Sequence, residues 1–134
     1  MIAVDTSAIM AILFAEPEAE VFERRIAAED VCFSSVSLLE ASMVLAGRLH
    51  GERAWRRLDE MVQEAPLEIV PHDRHLAEIG RLAFLHFGKG RHPAALNCGD
   101  CAAYALARHR GIPLLFKGTD FAKTDIVPAL PSAA

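Results

Sequence analysis

The sequence predicts an α/β fold, a three-layer α/β/α sandwich around a central, mainly parallel sheet of four or five strands. Short runs that are apolar throughout recur along the chain, and such runs are typical of strands buried on both faces of a sheet. Between them lie longer segments with apolar residues at helical spacing, an alternation that is typical of parallel connections. With 134 residues, we expect one domain spanning 1–134, with a frayed tail over 128–134.

The first half of the chain is predicted to form two strands and four helices. Thr6 or Ser7 can cap the first helix, and Pro17 suits the first turn of the second. Gly51 breaks the third helix, and the fourth ends before Pro66. In order, these elements are a strand at 1–4, helices at 6–14 and 18–28, a strand at 31–34, and helices at 35–50 and 52–64.

The second half is predicted to form two helices and two or three strands around a loop rich in glycine and cations. Asp73 can cap the first of these helices, Asn97 or Cys98 opens the second, and Gly111 suits its end. In order, the elements are a strand at 67–70, a helix at 73–87, the loop at 88–96, a helix at 97–110, a strand at 113–116 and a short fifth strand at 124–127.

Composition excludes several classes of protein. Hydrophobic residues make up 52% of the chain, which excludes a disordered protein. The net charge of −4 excludes nucleic-acid binding through bulk positive charge. We expect a cytoplasmic location and no membrane partner, because the start of the chain lacks a signal-peptide pattern and its apolar run, residues 6–15, is too short to span a bilayer. Three cysteines, an odd count, fit a reducing compartment.

Four acidic residues follow predicted strands or lie in the first turns of predicted helices. They are Asp5, Glu40, Asp100 and Asp120. In a parallel sheet the carboxyl ends of the strands and the starts of the following helices share one edge, where sites of α/β proteins lie. Two carboxylates ~4 Å apart repel by roughly 4 kcal/mol. A cluster of them therefore calls for protonation or for a hard divalent cation such as Mg²⁺ or Mn²⁺, a site suited to phosphodiester hydrolysis.

Each of these acids also has a structural interpretation when it is considered alone. Asp5 can cap a helix, Ser37 and Glu40 fit an S-x-x-E capping box, and Asp100 suits the dipole of a helix start. Asp120 in a Gly-Thr-Asp sequence is typical of a turn. The joint pattern favours a metal site, since all four acids lie in apolar sequence without a compensating Lys or Arg beside them.

Four sequence blocks resemble the PIN-domain family, and more narrowly the VapC-type toxin ribonucleases of bacterial type II toxin–antitoxin pairs. The blocks are residues 2–8 (I-A-V-D-T-S-A), residues 34–40 around Glu40, residues 96–101 (L-N-C-G-D-C) and residues 116–126 around Asp120. The resemblance implies a Mg²⁺- or Mn²⁺-dependent endoribonuclease that hydrolyses RNA, forms a homodimer and is inhibited by a cognate antitoxin.

The resemblance also implies roles for particular residues. The metal-binding and catalytic acids are Asp5, Glu40, Asp100 and Asp120. Thr6 or Ser7 steadies the Asp5 carboxylate, and Asn97 supports the site from behind these acids. Asp125 is a candidate outer acid, for which a structural role is favoured. Apart from the resemblance, Lys89 and Arg91 precede Asp100 in the flexible loop, which makes them candidates to hold RNA phosphates.

Other functions are weighed against this one. Cys98 and Cys101 form a C-x-x-C spacing, but its late position is unlike a thioredoxin motif and no spacing supplies two more zinc ligands, so a role as small buried hydrophobes is favoured. A phosphatase with an Asp-x-Asp nucleophile is disfavoured because Ser7 stands where the second acid belongs. A nonenzymatic PIN-like module that binds RNA or an antitoxin remains the alternative.

Overall fold

A parallel four-stranded sheet forms the centre of the molecule, as predicted. The structure, a computed structural model, describes residues 1–131. The strands are β1 (Ile2–Val4), β2 (Val31–Ser34), β3 (Leu67–Val70) and β4 (Leu114–Leu115), in the order β3-β2-β1-β4. Each neighbouring pair is parallel, with Ile2 opposite Val31, Val31 opposite Leu67 and Ala3 opposite Leu114. The carboxyl ends of all four strands therefore meet at one edge.

Helices cover both faces of this sheet. They are α1 (Thr6–Leu13), α2 (Ala19–Ala27), α3 (Ser35–Arg48), α4 (Arg56–Glu64), α5 (Arg74–Phe87) and α6 (Cys98–Arg110). The single helix predicted for 52–64 is in fact divided, because a 3-10 turn at Gly51–Trp55 precedes α4. In the described part of the chain, none of the helices is both long and apolar enough to cross a membrane.

The strands alternate their side chains between two separate cores, which confirms the three-layer architecture. Ile2 and Val4 of β1 point into a core with residues of α1 to α4, such as Leu45 and Leu58. Ala3, between them, points into a second core built on α6 and α5. Burial on both faces explains why β1 and β4 are apolar throughout rather than alternating with polar residues. The edge strand β3 is less buried and carries the exposed Glu68, which pairs with Arg110.

Polar residues at strand ends start the helices. Asp5 caps α1 and Ser34 caps α3, so both helices begin directly at the carboxyl edge of the sheet. Asp73 and Asn97 cap α5 and α6 through side-chain oxygens that accept from backbone N–H groups. Gly111 ends α6 with a φ of 63°, a conformation that suits glycine.

The predicted fifth strand at 124–127 is wrong for the described residues. The chain instead forms a 3-10 turn at Phe121–Lys123 and makes one isolated bridge, between Leu114 and Pro128. Pro128 has no N–H to extend a ladder. Residues 128–131 differ from the predicted frayed tail, since the Ala129 N–H donates to Leu114 O at 2.9 Å. The rest of that tail, 132–134, lies outside the described residues.

Candidate active site

Asp5 lies at the carboxyl edge of the sheet and is buried, with 4% of its surface exposed. One oxygen, Oδ2, accepts from the Ser7 N–H at 3.0 Å. The other, Oδ1, is buried and has no hydrogen-bond partner among residues 1–131. The pKa of Asp5 is raised from 3.8 to about 6, mainly by burial. Hydrogen bonding from Ser7 opposes this rise, and the charges of Asp100 and Glu40 contribute to it. Capping therefore uses only half of this carboxylate.

Glu40 lies in the second turn of α3 and takes no part in capping. The predicted Ser37–Glu40 capping box is absent from the described structure, because α3 begins earlier and Ser34 Oγ accepts from the Val36 N–H at 3.2 Å. The Glu40 carboxylate instead reaches across to the first turn of α6, where it lies against Gly99. The structural interpretation of Glu40 is thus removed.

Asp100 is half-buried in the first turn of α6 and forms a capping box with Asn97. The Asp100 N–H donates to Asn97 Oδ1 at 2.9 Å, and Asp100 Oδ2 accepts from the Asn97 N–H at 3.0 Å. Burial raises the pKa of Asp100, as do the charges of Glu40 and Asp120, while the hydrogen bond from Asn97 lowers it. Asn97 therefore fixes Asp100, through its backbone and one carboxylate oxygen.

Asp120 follows β4 and opens the 3-10 turn on an exposed loop. Its side chain makes no cap hydrogen bond within that described turn. Its charge raises the pKa of Asp100, which places the two carboxylates within electrostatic range of each other. The fourth acid is thus the most solvated member of the set.

The four carboxylates form a connected electrostatic group. Asp100 and Glu40 each raise the pKa of Asp5, and Glu40 and Asp120 each raise that of Asp100. Across residues 1–131, however, no three Asp, Glu, His or Cys side chains stand in positions to hold a metal ion. The donor set nevertheless fits a hard divalent cation, because it consists of carboxylate oxygens and includes the buried, unpartnered Oδ1 of Asp5.

The two residues after Asp5 have different roles. Ser7 donates its N–H to Asp5, and its hydroxyl oxygen accepts from the Lys117 N–H at 2.9 Å, which ties the chain after β4 to the start of α1. The hydrogen bond of Thr6 goes elsewhere, since its hydroxyl donates to Ser37 O at 3.1 Å and joins α1 to α3. Of the two residues predicted to steady Asp5, Ser7 is the one in contact with it.

Lys89 and Arg91 are exposed in the loop between α5 and α6. The loop has no helix or strand, as predicted, but it is closed by hydrogen bonds, with the Lys89 N–H donating to Leu96 O at 3.0 Å. This contact holds the cations beside the N-cap of α6. The Arg91 guanidinium lies over the Phe84 ring, 5.9 Å from its centre.

Asp125 and Cys101 have surroundings that are typical of structural residues. Asp125 Oδ1 accepts from the Tyr104 hydroxyl at 2.6 Å, and its other oxygen pairs with Arg108 at 3.5 Å, so it holds the chain after β4 against α6. Cys101 is buried, which raises the pKa of its thiol to about 11 and disfavours a reactive thiolate. Cys98 is exposed and free, so the predicted role as a small buried hydrophobe is wrong for this residue.

No role was assigned to Gly99 or Lys117 from the sequence. Gly99 is a glycine inside the first turn of an otherwise alanine-rich helix, and that was the available signal. Lys117 pairs with Glu16 and lies 3.3 Å from Glu18, so its charge is neutralised on the rim of the site. A pairing between residues a hundred positions apart leaves no local pattern in the sequence.

Comparison with known proteins identifies one family and relatives that are named as ribonucleases. The family model described as PIN domain matches residues 2–127. The chain is 46% identical over 124 residues to "Ribonuclease VapC" of Mycolicibacterium smegmatis, covering 92% of this chain and 95% of that protein. It is 45% identical over 130 residues to "Ribonuclease VapC30" of Mycobacterium tuberculosis, covering 96% and 98%.

Solved structures are similar in fold. The crystal structure of Mycobacterium tuberculosis VapC20, a sarcin–ricin loop cleaving toxin, has a TM-score of 0.76 and 20% identity and covers 98% of this chain and 100% of its own. The DNA-bound VapBC complex from Salmonella typhimurium contains a chain with a TM-score of 0.73 and 17% identity, covering 95% and 94%. At these identities the similarity concerns the fold alone.

Proposed function

Because this chain belongs to the PIN-domain family of VapC ribonucleases, we propose that it hydrolyses RNA phosphodiester bonds as the toxin of a type II toxin–antitoxin pair. The observation that carries the proposal is the buried Asp5 carboxylate, whose Oδ1 lacks a partner in residues 1–131 while two other acids raise its pKa. Burial and the two neighbouring acids make the ionised Asp5 carboxylate unfavourable when no metal is bound, and a bound cation offsets that cost.

We assign the metal site to four residues, Asp5, Glu40, Asp100 and Asp120. A bound Mg²⁺ or Mn²⁺ supplies positive charge at the scissile phosphate and lowers the pKa of water. The chain's own contribution is position: Asp5 is fixed by Ser7, and Asp100 by Asn97. Asp120 lies exposed on the loop after β4.

The test is cleavage of mixed RNA by the purified chain in Mn²⁺ and in chelator. We expect cleavage that chelator abolishes and that Asp5→Asn removes. Asp73→Asn is the matched control, because Asp73 is also an N-cap, that of α5, its charge does not contribute to the raised pKa of Asp5 or Asp100, and Asn caps nearly as well. Cleavage that persists in chelator contradicts the metal mechanism.

We assign RNA phosphate contacts to Lys89 and Arg91. Both are exposed and are held beside the start of α6, the helix that carries Asp100. On this assignment RNA binding depends on a local positive charge at two residues, which is compatible with a chain whose net charge is −4. RNA recognition then depends on backbone contacts and shape more than on bulk charge.

The antitoxin is assigned to a groove of about 430 Å³ between α1, α2 and α4. Its floor is apolar and is formed by Ile12, Leu13, Ile26 and Met61. Its rim has a net negative charge, since it carries Glu23, Glu60 and Glu64 beside one cation, Arg57. This combination suits an amphipathic helix with basic flanks. Glu60→Lys with Glu64→Lys should weaken inhibition by an antitoxin encoded beside the toxin and leave free toxin activity unchanged, and unaltered inhibition contradicts the assignment.

We also propose a homodimer in the cytoplasm. Large apolar side chains are exposed on α3 at Leu39 and Met43, and on α5 at Leu82 and Leu85. Exposed apolar surface of this kind is typical of a protein contact. Light scattering should give about twice the 14.6 kDa mass of one chain, and a monomer at micromolar concentration contradicts the dimer. The free thiols of Cys32, Cys98 and Cys101 suit a reducing compartment.

A nonenzymatic binding module is the second candidate. The observation that favours it is that no three ligands stand ready to hold an ion among residues 1–131. The two candidates differ in the cleavage test, because a binding module retains RNA or antitoxin but leaves RNA intact in every metal tested.

A further inference from the structure

Gly99 occupies an unusual position at the second residue of α6. It is buried, and the space where a side chain would begin is filled by the Glu40 carboxylate from α3. A Cβ added to Gly99 would lie 2.7 Å from both Cδ and Oε1 of Glu40, and closer still to Oε2. These three carboxylate atoms are the nearest neighbours of that position, ahead of any backbone atom of α3.

The fold itself does not require glycine at this position. Residue 99 has no positive φ, so its backbone suits any residue, and alanine is the better helix former. Close approach of the α3 and α6 backbones is not the reason either, because the obstructing atoms are the far end of a flexible side chain. The chain therefore gives up helix stability at Gly99 without a structural return.

We propose that Gly99 is a positioning residue, kept free of a side chain so that the Glu40 carboxylate can lie at the start of α6 next to Asp100. The inference rests on the proposed function, because that location matters only if Glu40 is a ligand. The positive end of the α6 dipole favours a carboxylate there. A methyl group at residue 99 pushes Glu40 out of the site, and the other three acids keep their own contacts.

The primary variant is Gly99→Ala, with Gly47→Ala as the matched control. Gly47 is also a helical glycine, lies on α3 with Glu40, and has nothing within 4 Å of an added Cβ. We expect Gly99→Ala to keep or raise the melting temperature of the metal-free chain. Its Mn²⁺ affinity, measured by calorimetry, and its RNA cleavage should fall by roughly 10–100-fold. Gly47→Ala should leave both unchanged.

A double variant separates positioning from damage to the helix. Glu40→Asp shortens the side chain by one methylene, which lowers Mn²⁺ affinity in the wild type because the carboxylate no longer reaches the site. In the Gly99→Ala background the new methyl group has already displaced the carboxylate, so the same change should cost little further Mn²⁺ affinity or cleavage. A cost of Glu40→Asp that disappears in the Gly99→Ala background is a coupling that two independent structural effects do not produce.

The outcomes separate the inference from the proposed function. A wild type that binds Mn²⁺ and cleaves RNA, beside a Gly99→Ala variant that does both equally well, overturns the positioning role alone. Loss in Gly99→Ala to which Glu40→Asp adds its full wild-type cost also overturns it. A wild type that neither binds Mn²⁺ nor cleaves RNA overturns the proposed function and this inference together.

Discussion

Replacing Asp5 by Asn removes a buried charge and keeps the shape of the side chain. In the folded chain the Asp5 carboxyl has a pKa of about 6 against an ordinary value of 3.8, mainly because of burial. At roughly 1.4 kcal/mol for each pH unit, ionised Asp5 therefore costs the metal-free fold about 3 kcal/mol. Asn avoids that cost and can still accept from the Ser7 N–H.

The gain from Asn is partly offset at the unpartnered oxygen. An amide NH₂ in place of Oδ1 is a buried donor without a partner, which costs about 1–3 kcal/mol. At neutral pH we expect the free energy of unfolding of metal-free Asp5→Asn to equal that of the wild type or to exceed it by up to about 2 kcal/mol. RNA cleavage by the variant should be abolished.

The pH dependence of the free energy of unfolding is the sharper test. The unpartnered amide of Asn contributes the same free energy at every pH, so it does not affect the change with pH. A carboxyl whose folded pKa is raised stabilises the fold at low pH, and that stability is lost as pH rises from the unfolded value of 3.8 through the folded value of about 6. Relative to Asp5→Asn, the wild type should lose about 3 kcal/mol across this window and nothing further above it.

Urea unfolding in chelator at a series of pH values measures this difference directly. Other carboxyl groups titrate in both proteins, so the comparison isolates position 5. If Asp5→Asn is less stable by the same amount at every pH, burial does not destabilise the ionised Asp5 carboxylate, and the role of Asp5 is capping alone.

Three further perturbations have clear expectations. Tyr104→Phe removes the hydrogen bond to Asp125 and should lower the free energy of unfolding by about 1 kcal/mol. Cleavage by the folded variant should be unchanged, since exposed Asp125 can bind water instead. Lost cleavage would make Asp125 part of the site. Lys89→Glu with Arg91→Glu should weaken RNA binding and flatten its salt dependence, which Arg24→Glu on α2 should not, and equal salt slopes would contradict the assignment. Mn²⁺ at 100 times its Kd should raise the free energy of unfolding by about 2.7 kcal/mol, reversibly with chelator; no effect on the wild type would mean no site.

Much of the fold could be predicted from local sequence. Largely apolar runs predicted the strands, and β1, β2 and β4 are buried at every residue, while the edge strand β3 also carries the exposed Glu68. Asp5, Asp73 and Asn97 marked helix starts because their side chains satisfy backbone N–H groups. The fifth strand was overpredicted, because a β-prone segment at 124–127 is held by Asp125 contacts to α6 instead of a ladder. Such long-range contacts have no local signature.

The candidate site shows the same division between local and distant information. Strand-end logic explains why Asp5 and Asp120 lie at the carboxyl edge, but the S-x-x-E pattern at Glu40 suggested a cap that Ser34 provides instead. The capping box actually forms at Asn97 and Asp100. Contact between Glu40 and Gly99 depends on how α3 packs against α6, and that packing is set by the whole core.

An anomalous-scattering map from crystals soaked in Mn²⁺ would test the metal site most directly. We predict one or two ions bonded to Asp5 Oδ1 and to carboxylates of at least two of Glu40, Asp100 and Asp120. Crystals of wild-type protein in saturating Mn²⁺ that show no ion at Asp5, or an ion held only by other residues, would contradict the assignment of this edge of the sheet as a metal-dependent nuclease site.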